Sequence, residues 1–363
     1  MKYDIVIVGS GLAGVCVADM LSKQNKKILI IEKRNHFGGN LFDYFNNDGI
    51  LIHKYGPHIF RTDKKNVWDY LSNFTDWHFY QHKVAANIKG FEVPFPINLD
   101  TYNMLFNETL SQVQFEEKLK SFNFTDSPKN AEESVINQVG EYLYDTFFKH
   151  YTIKQWGKHP RDLHADTVAR VPVRTDRESR YFFHKYQGLP KNGYSEMMLN
   201  MISSDNISLM TNTDYKNVID SISFDKMIYT GPLDYYFDYK HGELEYRSLM
   251  FEERTYNKES FQSHSVINYP NNYDYTRITE YKKLTGQEHS KTTVHFEYPQ
   301  EYDKTKNEPY YPILDDKNKI IKDKYLSEVK KLDNVIFLGR LAEYRYYAMD
   351  ELVENIIKKF GRL

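Results

Sequence analysis

Short apolar runs and one helical pattern alternate at the beginning of the chain. Residues 3–8, Y-D-I-V-I-V, form a β-branched run, and residues 27–31 form a second apolar run that ends at Glu32. Between them, apolar side chains recur at helical spacing over residues 15–23. Because such β-branched runs are typical of strands that are buried on both faces of a parallel sheet, the pattern predicts a strand–helix–strand unit.

The middle of the chain carries mainly helical patterns. Apolar positions recur at helical spacing over residues 101–122 and again over residues 131–150. In the second segment, apolar residues four positions apart share one face of the predicted helix. The region from about 100 to 160 is therefore predicted to be a helical insertion. The residues on the shared face are Val135, Val139, Leu143 and Phe147.

Strand patterns dominate after residue 165, and several of them alternate apolar and polar positions. This alternation is typical of an antiparallel sheet with one face in water. Near the C-terminus, a buried run at 334–340 and a helical pattern at 348–360 predict that the chain returns to its first domain and completes it. The other predicted strands are 171–173, 181–183, 226–230, 244–251, 265–268 and 292–297.

A glycine-rich turn, G-S-G-L-A-G at 9–14, joins the first predicted strand to the predicted helix. Glycine allows a tight turn at Gly9, approach of a pyrophosphate at Gly11 and close helix–strand packing at Gly14. Glu32 follows Gly14 by 18 residues, close to the roughly 20 expected for an acid that accepts hydrogen bonds from ribose hydroxyls. The arrangement predicts a dinucleotide-binding domain, and the acid disfavours binding in the manner of NADP. A glycine-rich turn in an unrelated α/β domain is the alternative.

The sequence continues past the acid as E-K-R-N-H-F-G-G-N at 32–40. This segment resembles the extended fingerprint of flavoproteins that bind FAD in a fold with two dinucleotide-binding domains. In that pattern an arginine and a glycine pair also contact the pyrophosphate region, and their equivalents here are Arg34, Gly38 and Gly39. A glycine pair by itself indicates only a turn. The extension favours FAD over NAD.

The predicted fold class is α/β: a Rossmann-like parallel sheet that binds FAD, a helical-bundle insertion and an antiparallel β-sheet domain. The FAD-binding domain and the sheet domain are both expected to be discontinuous. The predicted divisions are 1–78, 195–242 and 330–363 for the FAD-binding domain, 99–165 for the helical domain, and 79–98, 166–194 and 243–329 for the sheet domain.

Charge and cysteine content narrow the class of partner. Lys and Arg total 48 and Asp and Glu total 50, so the formal net charge is −2, which argues against nucleic acid as the main partner. Cys16 is the single cysteine, so neither an intrachain disulfide nor a Cys-based zinc site is possible, and we predict no metal. No apolar run approaches the roughly 18 residues of a membrane span. The apolar run at 5–8 is too short for a signal peptide, so we expect a cytoplasmic protein.

Motifs spread over nearly the whole chain carry a resemblance to one family. They are I-V-G-S-G-L-A-G at 7–14, I-E-K-R-N-H-F-G-G-N at 31–40, H-K-Y-G-P-H-I-F at 53–60, Y-T-I-K-Q-W-G at 151–157, R-V-P-V-R at 170–174, Y-Q-G-L-P at 186–190, Y-T-G-P-L-D-Y-Y-F-D-Y at 229–239, L-E-Y-R-S-L at 244–249, Y-T-R-I-T-E at 275–280 and L-G-R-L-A-E-Y-R-Y-Y at 338–347. In this order they resemble the bacterial UDP-galactopyranose mutases.

The resemblance implies an isomerase that interconverts UDP-galactopyranose and UDP-galactofuranose. It implies FAD as the cofactor, which must be reduced although the reaction has no net redox change. Flavin N5 attacks the anomeric carbon, UDP leaves, and the resulting flavin–sugar adduct opens and recloses the ring before UDP returns. The resemblance also implies that the helical domain binds the nucleotide of the substrate and that the protein is a homodimer.

The same resemblance assigns roles to individual residues. Arg170 and Arg277 are expected to hold the diphosphate, because a planar guanidinium suits phosphate oxygens. His58 and Arg61 are expected beside the flavin and the sugar. The implied substrate-binding residues are Phe147, Phe148, Tyr151, Thr152, Trp156, Tyr181, Asn268, Tyr311 and Tyr346. The implied cofactor-binding residues are Gly9, Gly11, Leu12, Ala13, Gly14, Glu32, Lys33, Arg34, Gly38, Gly39, Asn40, His58, Ile59, Gly339, Arg340, Tyr347 and Met349.

The arginines have a structural interpretation as well. Without the motif, a lone arginine is most simply a solvated surface charge, and Arg170, Arg174, Arg177 and Arg180 together are consistent with a basic face. Within R-V-P-V-R, we predict that Arg170 contacts the diphosphate.

The aromatic residues also have two interpretations. Aromatics at helical spacing belong to a core more often than to a ligand site. We expect Phe148 and Tyr151 to face the nucleotide, and the role of Phe147 is left open. Outside the motif, a loop histidine such as His58 is only a polar spacer.

The sequence departs from the family pattern at three places near the expected sugar. The family's Y-G-A-H-I-F-H ends in Arg61 here, its Y-Y-D-M has Ala348 in place of the acid, and its N-S-P-L-A reads Q-H-K-V-A at 81–85. These changes indicate either compensated neutral divergence or a different sugar, such as UDP-N-acetylgalactosamine or dTDP-fucose. UDP-galactose is the leading expectation.

Two functions of other classes stay open at this stage. A flavin oxidoreductase of the amine-oxidase type shares the FAD domain, but it leaves Arg170, Arg277 and the motif at 151–157 unexplained. A protein that keeps FAD and binds a nucleotide sugar without turnover is the other, and Ala348 is the observation in its favour. Alanine at Arg277 separates a mutase, which should lose nearly all activity, from an unrelated oxidase.

Overall fold

The computed structural model describes residues 2–165 and 171–361. The strands are β1 (Lys2–Val8), β2 (Ile28–Ile31), β3 (Asp43–Phe45), β4 (Leu51–His53), β5 (Phe60–Thr62), β6 (Trp77–Phe79), β7 (Val84–Ile88), β8 (Phe91–Phe95), β9 (Tyr186–Pro190), β10 (Ile207–Met210), β11 (Ser223–Tyr229), β12 (Tyr246–Tyr256), β13 (Val266–Asn268), β14 (Arg277–Glu280), β15 (Thr292–Glu301), β16 (Tyr311–Pro312) and β17 (Val335–Phe337). The helices are α1 (Leu12–Ser22), α2 (Lys65–Ser72), α3 (Leu99–Phe106), α4 (Gln112–Ser121), α5 (Ala131–Leu143), α6 (His150–Trp156), α7 (Tyr194–Met201), α8 (Leu233–Tyr236), α9 (Tyr281–Thr285), α10 (Asp316–Val329) and α11 (Met349–Phe360).

The chain divides into two compact units, and each is built from separate segments. The first unit comprises Met1–Tyr80, His184–Tyr246 and Tyr311–Leu363. The second unit comprises Gln81–Phe183 and Arg247–Tyr310.

The first unit contains the predicted parallel sheet. Its strand order is β10–β2–β1–β11–β17, and each neighbouring pair is parallel. Alternate side chains of β1 enter different cores: Ile5 and Ile7 pack with residues of α1, whereas Val6 and Val8 pack with Tyr229. Burial on both faces explains the uninterrupted apolar run of this strand. Strand β17 completes the sheet, which confirms the predicted return of the chain.

A small antiparallel sheet corrects one predicted domain boundary. Strand β9 pairs with β5 and with β6, so residues 184–194 belong to the first unit and not to the antiparallel sheet domain. Residues 311–329, which include α10, also lie in the first unit. These assignments depend on pairing between distant segments, which a local pattern does not reveal.

The second unit combines a mainly antiparallel sheet with the helices of the insertion. The strand order is β12–β15–β14–β13–β7–β8, and the pairs are antiparallel except for β13 with β7. Ala86 and Phe95 of the sheet share one core with Val139 and Phe147 of the helical segment. The predicted helical domain and this sheet are therefore held by a common core.

The predicted helix over 131–150 is interrupted at Gly140. Its φ of +81° is not helical, and a Cβ at this position would lie 2.9 Å from the ring of Phe122. A π-helical segment, Tyr144–Lys149, then joins α5 to α6. The four apolar residues predicted to share a face are nevertheless all buried in the same core.

Residues 171–173 and 181–183 do not form strands, so this prediction is wrong. Arg174 lies between them and donates hydrogen bonds to the carbonyl oxygens of Glu178, Arg180 and Tyr181. The segment therefore curls around a guanidinium group. Short loops and short strands can share the same apolar alternation, so the pattern alone does not separate them.

Residues 2–165 and 171–361 offer neither a membrane-spanning helix nor a cluster of metal ligands. These residues contain no helix with the length and apolar content needed to cross a membrane. They also contain no group of three or more His, Cys, Asp or Glu side chains placed to hold a metal ion.

Candidate active site

The glycine-rich turn of the first unit has the predicted strand–turn–helix geometry. Gly9 follows β1 with a φ of +100°, and a Cβ there would lie 2.2 Å from Thr230 Oγ1. A Cβ on Gly14 would lie 2.1 Å from the carbonyl oxygen of Gly9. The N-cap of α1 is Gly11, which has no side chain with which to cap the helix. The turn therefore leaves the first backbone N–H groups of α1 for a phosphate.

A second glycine pair packs against this turn. Gly38 and Gly39 both have positive φ, +94° and +57°. The Gly38 N–H donates to Ser10 Oγ at 3.0 Å, and a Cβ on Gly39 would lie 2.8 Å from the Cα of Gly11. The structure thus brings together two glycine motifs that are separated in sequence, as the FAD fingerprint predicts.

Glu32 connects the end of β2 to the glycine-rich turn. Its buried carboxylate accepts hydrogen bonds from Ser10 N at 2.9 Å and from Ser10 Oγ at 2.7 Å. Its other oxygen accepts from Arg34 N at 3.0 Å. The acid is where the fingerprint requires it, and its contact with a ribose stays a prediction. Sequence reasoning missed Ser10, whose signal was a hydroxyl inside the glycine motif.

Arg34 is held by neighbours that also belong to the predicted cofactor site. Both terminal nitrogens of Arg34 donate to Asn40 Oδ1 at 3.1 Å. The guanidinium lies 4.6 Å from the ring centroid of Tyr55. These contacts fix the direction of the positive charge beside the second glycine pair. Lys33, the next predicted cofactor residue, is exposed.

Arg61 lies in β5 of the first unit, and His58 lies two residues before that strand. The backbone N–H of His58 donates to His53 Nδ1 at 3.1 Å, and His58 Nδ1 lies 2.9 Å from the carbonyl oxygen of Gly56. A carbonyl partner assigns the proton to Nδ1 of His58. Arg61 lies opposite Gln187 in the β5–β9 pair, and Ile59 is buried. His53 is a second residue that sequence reasoning missed.

The C-terminal motif of the first unit reaches back to the glycine-rich turn. Gly339, with a φ of +96°, would place a Cβ 3.3 Å from the Cβ of Ala13. Its N–H donates to Glu343 at 2.7 Å, and Glu343 also accepts from the Tyr347 hydroxyl at 2.9 Å. Burial and this carboxylate raise the pKa of Tyr347 to about 12. Arg340 donates to the carbonyl oxygen of Tyr347 at 2.9 Å.

The other residues predicted near this motif differ in exposure. Tyr346 is exposed, and the Arg340 guanidinium lies 4.8 Å from its ring centroid. Ala348 is the N-cap residue of α11, which begins at Met349, and no side chain caps that helix. Tyr311 begins β16 and is half-buried.

Three polar residues of the second unit form a row across its sheet, which we call the arginine row: Asn268, Arg277 and Glu297. Asn268 of β13 lies opposite Arg277 of β14, and Arg277 lies opposite Glu297 of β15. Directly opposed residues of antiparallel strands point to the same face. Arg277 Nε donates to Glu297 Oε2 at 2.7 Å, and the carboxylate is almost fully buried. Sequence reasoning missed Glu297.

The aromatic residues of the helical segment divide between core and surface. Phe147 and Phe148 are both buried, and their rings lie 6.0 Å and 6.3 Å from the ring of Phe95. Tyr151 is half-buried. The structure therefore places Phe148 in the core beside Phe147, and its contact with a nucleotide stays a prediction.

The remaining predicted nucleotide residues also lie in the second unit. Thr152 is buried, whereas Trp156 is half-buried. Tyr181 is half-buried, and its N–H donates to the carbonyl oxygen of His82 at 2.7 Å. Its own backbone is held by His82 and by the Arg174 guanidinium.

The arginines after residue 170 do not form a free basic face. Arg174 is buried among backbone carbonyls, and burial lowers its pKa. Arg177 pairs with Asp100, and Arg180 pairs with Glu178 at 2.6 Å. Arg170 lies outside the described residues, so its predicted contact with the diphosphate stays a prediction.

The chain is similar in sequence to several known proteins. A sequence model for UDP-galactopyranose mutase matches residues 146–346, and a model for NAD(P)-binding Rossmann-like domains matches residues 7–74. A dTDP-fucopyranose mutase of Escherichia coli is 35% identical over 98% of this chain and 96% of its own length. A probable UDP-galactopyranose mutase of Klebsiella pneumoniae is 36% identical over 98% of this chain and 93% of its own.

Solved structures share the fold. A crystal structure of reduced UDP-galactopyranose mutase has a TM-score of 0.75 at 17% identity and covers 99% of this chain and 96% of its own. A putrescine oxidase with bound putrescine has a TM-score of 0.59 at 12% identity over 99% of this chain and 98% of its own. At these identities the likeness shows the fold and not the activity.

Proposed function

Because the chain belongs to the UDP-galactopyranose mutase family and is a pyranose–furanose mutase, we propose that it interconverts UDP-galactopyranose and UDP-galactofuranose with reduced FAD as its cofactor. The arginine row is the observation that supports this proposal most strongly. It presents one guanidinium whose Nε is bound by a buried carboxylate. A planar cation held in one direction suits the oxygens of a diphosphate leaving group.

The first unit has the residues that FAD requires. The turn at 9–14 and the glycine pair at 38–39 bring backbone N–H groups together, and a Cβ at Gly9, Gly14 or Gly39 would lie less than 3 Å from another atom. Such a turn, followed by an uncapped helix N-terminus, fits a pyrophosphate, and Glu32 fits a ribose. When bound and reduced, FAD supplies a nucleophilic nitrogen for the anomeric carbon of the sugar.

The chain's own residues bind the leaving group and return it. The diphosphate must stay close while the sugar ring opens and recloses, because it rejoins the same carbon. Arg277 is suited to this because Glu297 restricts its rotation, so less entropy is lost when the phosphate binds. Arg170 is the second predicted contact to the diphosphate.

A variant sugar is the second candidate, and two replacements favour it. Arg61 stands where the family has a histidine, and Ala348 stands where it has an acid. Loss of polar groups near the sugar suits a 6-deoxy sugar such as dTDP-fucose, and the relative from Escherichia coli is called a dTDP-fucopyranose mutase. An arginine at position 61 suits UDP-N-acetylgalactosamine.

The amine-oxidase alternative is rejected, because the chain belongs to a family of mutases. The homodimer and the cytoplasmic location remain predictions.

Product analysis of the purified, dithionite-reduced protein tests the substrate. UDP-galactofuranose, dTDP-fucofuranose and the furanose of UDP-N-acetylgalactosamine would be offered separately, and ring isomers would be resolved by chromatography. We expect the highest kcat/KM for UDP-galactofuranose. A higher value for either other sugar would overturn this choice, and the variants Arg61→His and Ala348→Asp would then be expected to shift preference back towards galactose. Binding of all three without conversion would support a protein that has lost catalysis.

A further inference from the structure

We propose that Lys154 is a positioning residue for the nucleotide. Its ammonium group binds the turn at 269–275, which joins β13 to β14, and so holds this β13–β14 hairpin against α6. The hairpin carries Asn268 and Arg277 of the arginine row. This inference rests on the proposed function, because it takes α6 and the β13–β14 hairpin as the parts that bind the nucleotide diphosphate. Lys154 lies in the motif at 151–157.

The side-chain ammonium of Lys154 donates three hydrogen bonds to one turn. Its Nζ donates to the carbonyl oxygens of Tyr269 at 2.5 Å, Tyr273 at 3.0 Å and Tyr275 at 3.0 Å. A lysine ammonium has three N–H donors. The three carbonyls therefore match the charged form, and a neutral amine would leave one of them without its N–H.

The position of this turn connects it to the site. It begins directly after Asn268 at the end of β13, and only Thr276 separates it from Arg277 at the start of β14. Lys154 itself lies on α6 near Tyr151 and Thr152, two predicted nucleotide contacts. One side chain thus connects the helix expected to bind the base with the hairpin expected to bind the diphosphate.

A second contact supports the same geometry. Asn271, at the middle of the turn, donates from Nδ2 to the carbonyl oxygen of Thr146 at 2.7 Å. The turn is closed by a backbone hydrogen bond from Tyr269 N to Thr276 O at 2.8 Å. The hairpin is therefore tied to the helical segment at two points, and Lys154 supplies the charged one.

The C-terminal end of α6 is held independently of Lys154. Arg247 donates to the carbonyl oxygens of Gln155 at 2.9 Å and Lys154 at 3.3 Å. Gly157 ends the helix in the left-handed conformation. Loss of the Lys154 side chain should therefore move the turn rather than unfold the helix.

The charge of Lys154 is sensitive to pH. Burial lowers its pKa to about 8, and Asp274 opposes that shift. The other charged or titratable groups around it are Lys89 between β7 and β8, Tyr142 of α5, Asp145, His150 of α6 and the tyrosines of the turn. Above about pH 8, the neutral amine has one N–H fewer than the turn requires.

Binding of UDP to the oxidised holoenzyme, measured by calorimetry, tests the proposal without depending on turnover. We expect Lys154→Met to weaken UDP binding about tenfold, the effect of losing roughly one hydrogen bond to a charged group, and to raise KM more than it lowers kcat. Lys154→Arg should restore part of the affinity, because Arg keeps the charge and the donors. Lys149→Met is the matched control, because Lys149 pairs with Asp145 on the adjacent turn of helix, and it should bind UDP like the wild type.

The pH profile separates a positioning role from a structural one. The wild type should bind UDP more weakly as pH rises through about 8, whereas Lys154→Arg should not, since an arginine stays protonated. Wild-type affinity in Lys154→Met, or a drop in melting temperature and kcat with an unchanged KM, would overturn the proposal. A wild type that binds UDP but converts no sugar would contradict the proposed function and leave the binding test of Lys154 intact.

Discussion

Arg277 shows how single residues acquire a role through partners that are distant in sequence. Glu297 lies 20 positions away, yet its buried carboxylate receives the arginine's Nε at 2.7 Å. Ser10 and Glu32 are related in the same way across 22 positions. The motifs predict Arg277 and Glu32, because these residues stand inside local patterns. The partners were missed, because they depend on how strands pair.

Replacing Arg277 with alanine should lower kcat/KM at least about a hundredfold, as removal of a donor that stabilises developing negative charge typically does. Arg277→Lys should be intermediate, because it keeps the charge but loses the planar pair of donors. Glu297→Gln should raise KM, because it releases the guanidinium from its fixed direction. Steady-state kinetics on the reduced enzyme measure all three.

The matched control is Arg254→Ala on the same sheet. Arg254 makes an exposed ion pair with Glu252, and exposed pairs contribute little. Its kinetics should equal those of the wild type. If Arg277→Ala behaved like this control, Arg277 would not bind the diphosphate.

At the scale of elements, the sequence predicted units whose parts are neighbours in the chain, but it did not predict the register between distant strands. The strand–glycine–helix unit at β1 and α1 follows from spacing alone, because its packing is between neighbours in sequence. Residues 171–173 and 181–183 were wrongly predicted to be strands. The Arg174 guanidinium binds backbone carbonyl oxygens of this segment and holds it as a loop. The arginine row needs the relative register of β13, β14 and β15, and periodicity does not contain that register.

Helix α11 begins without a capping side chain, and this allows a test of its stability. Its N-cap is Ala348, which has no side chain that can accept a hydrogen bond from the first turn. Ala348→Asp should therefore raise the free energy of unfolding by about 1 kcal/mol, the usual value of an N-cap side chain. Ala348→Ser should give a similar gain, because the effect comes from the cap and not from the charge. Urea denaturation measures both, and an unchanged or lower stability in both variants would show that position 348 does not cap α11.

At the scale of the whole molecule, the chain builds each unit from separated segments. The strand–helix pattern near the C-terminus predicted the return of the chain to the parallel sheet, which the structure confirms with β17 and α11. The boundaries at 184–194 and 311–329 were wrong, because short strands and α10 joined the first unit through distant contacts. The fold is shared with a putrescine oxidase, so the fold alone does not determine the activity.

The most direct test of the central claim is the ring-isomer ratio of UDP-galactose over time, measured with one enzyme preparation in the oxidised and the dithionite-reduced state. We predict that UDP-galactofuranose converts to UDP-galactopyranose only after reduction, with no net consumption of the reductant. Equal rates in both states, or conversion that consumes reducing equivalents in proportion to product, would contradict it.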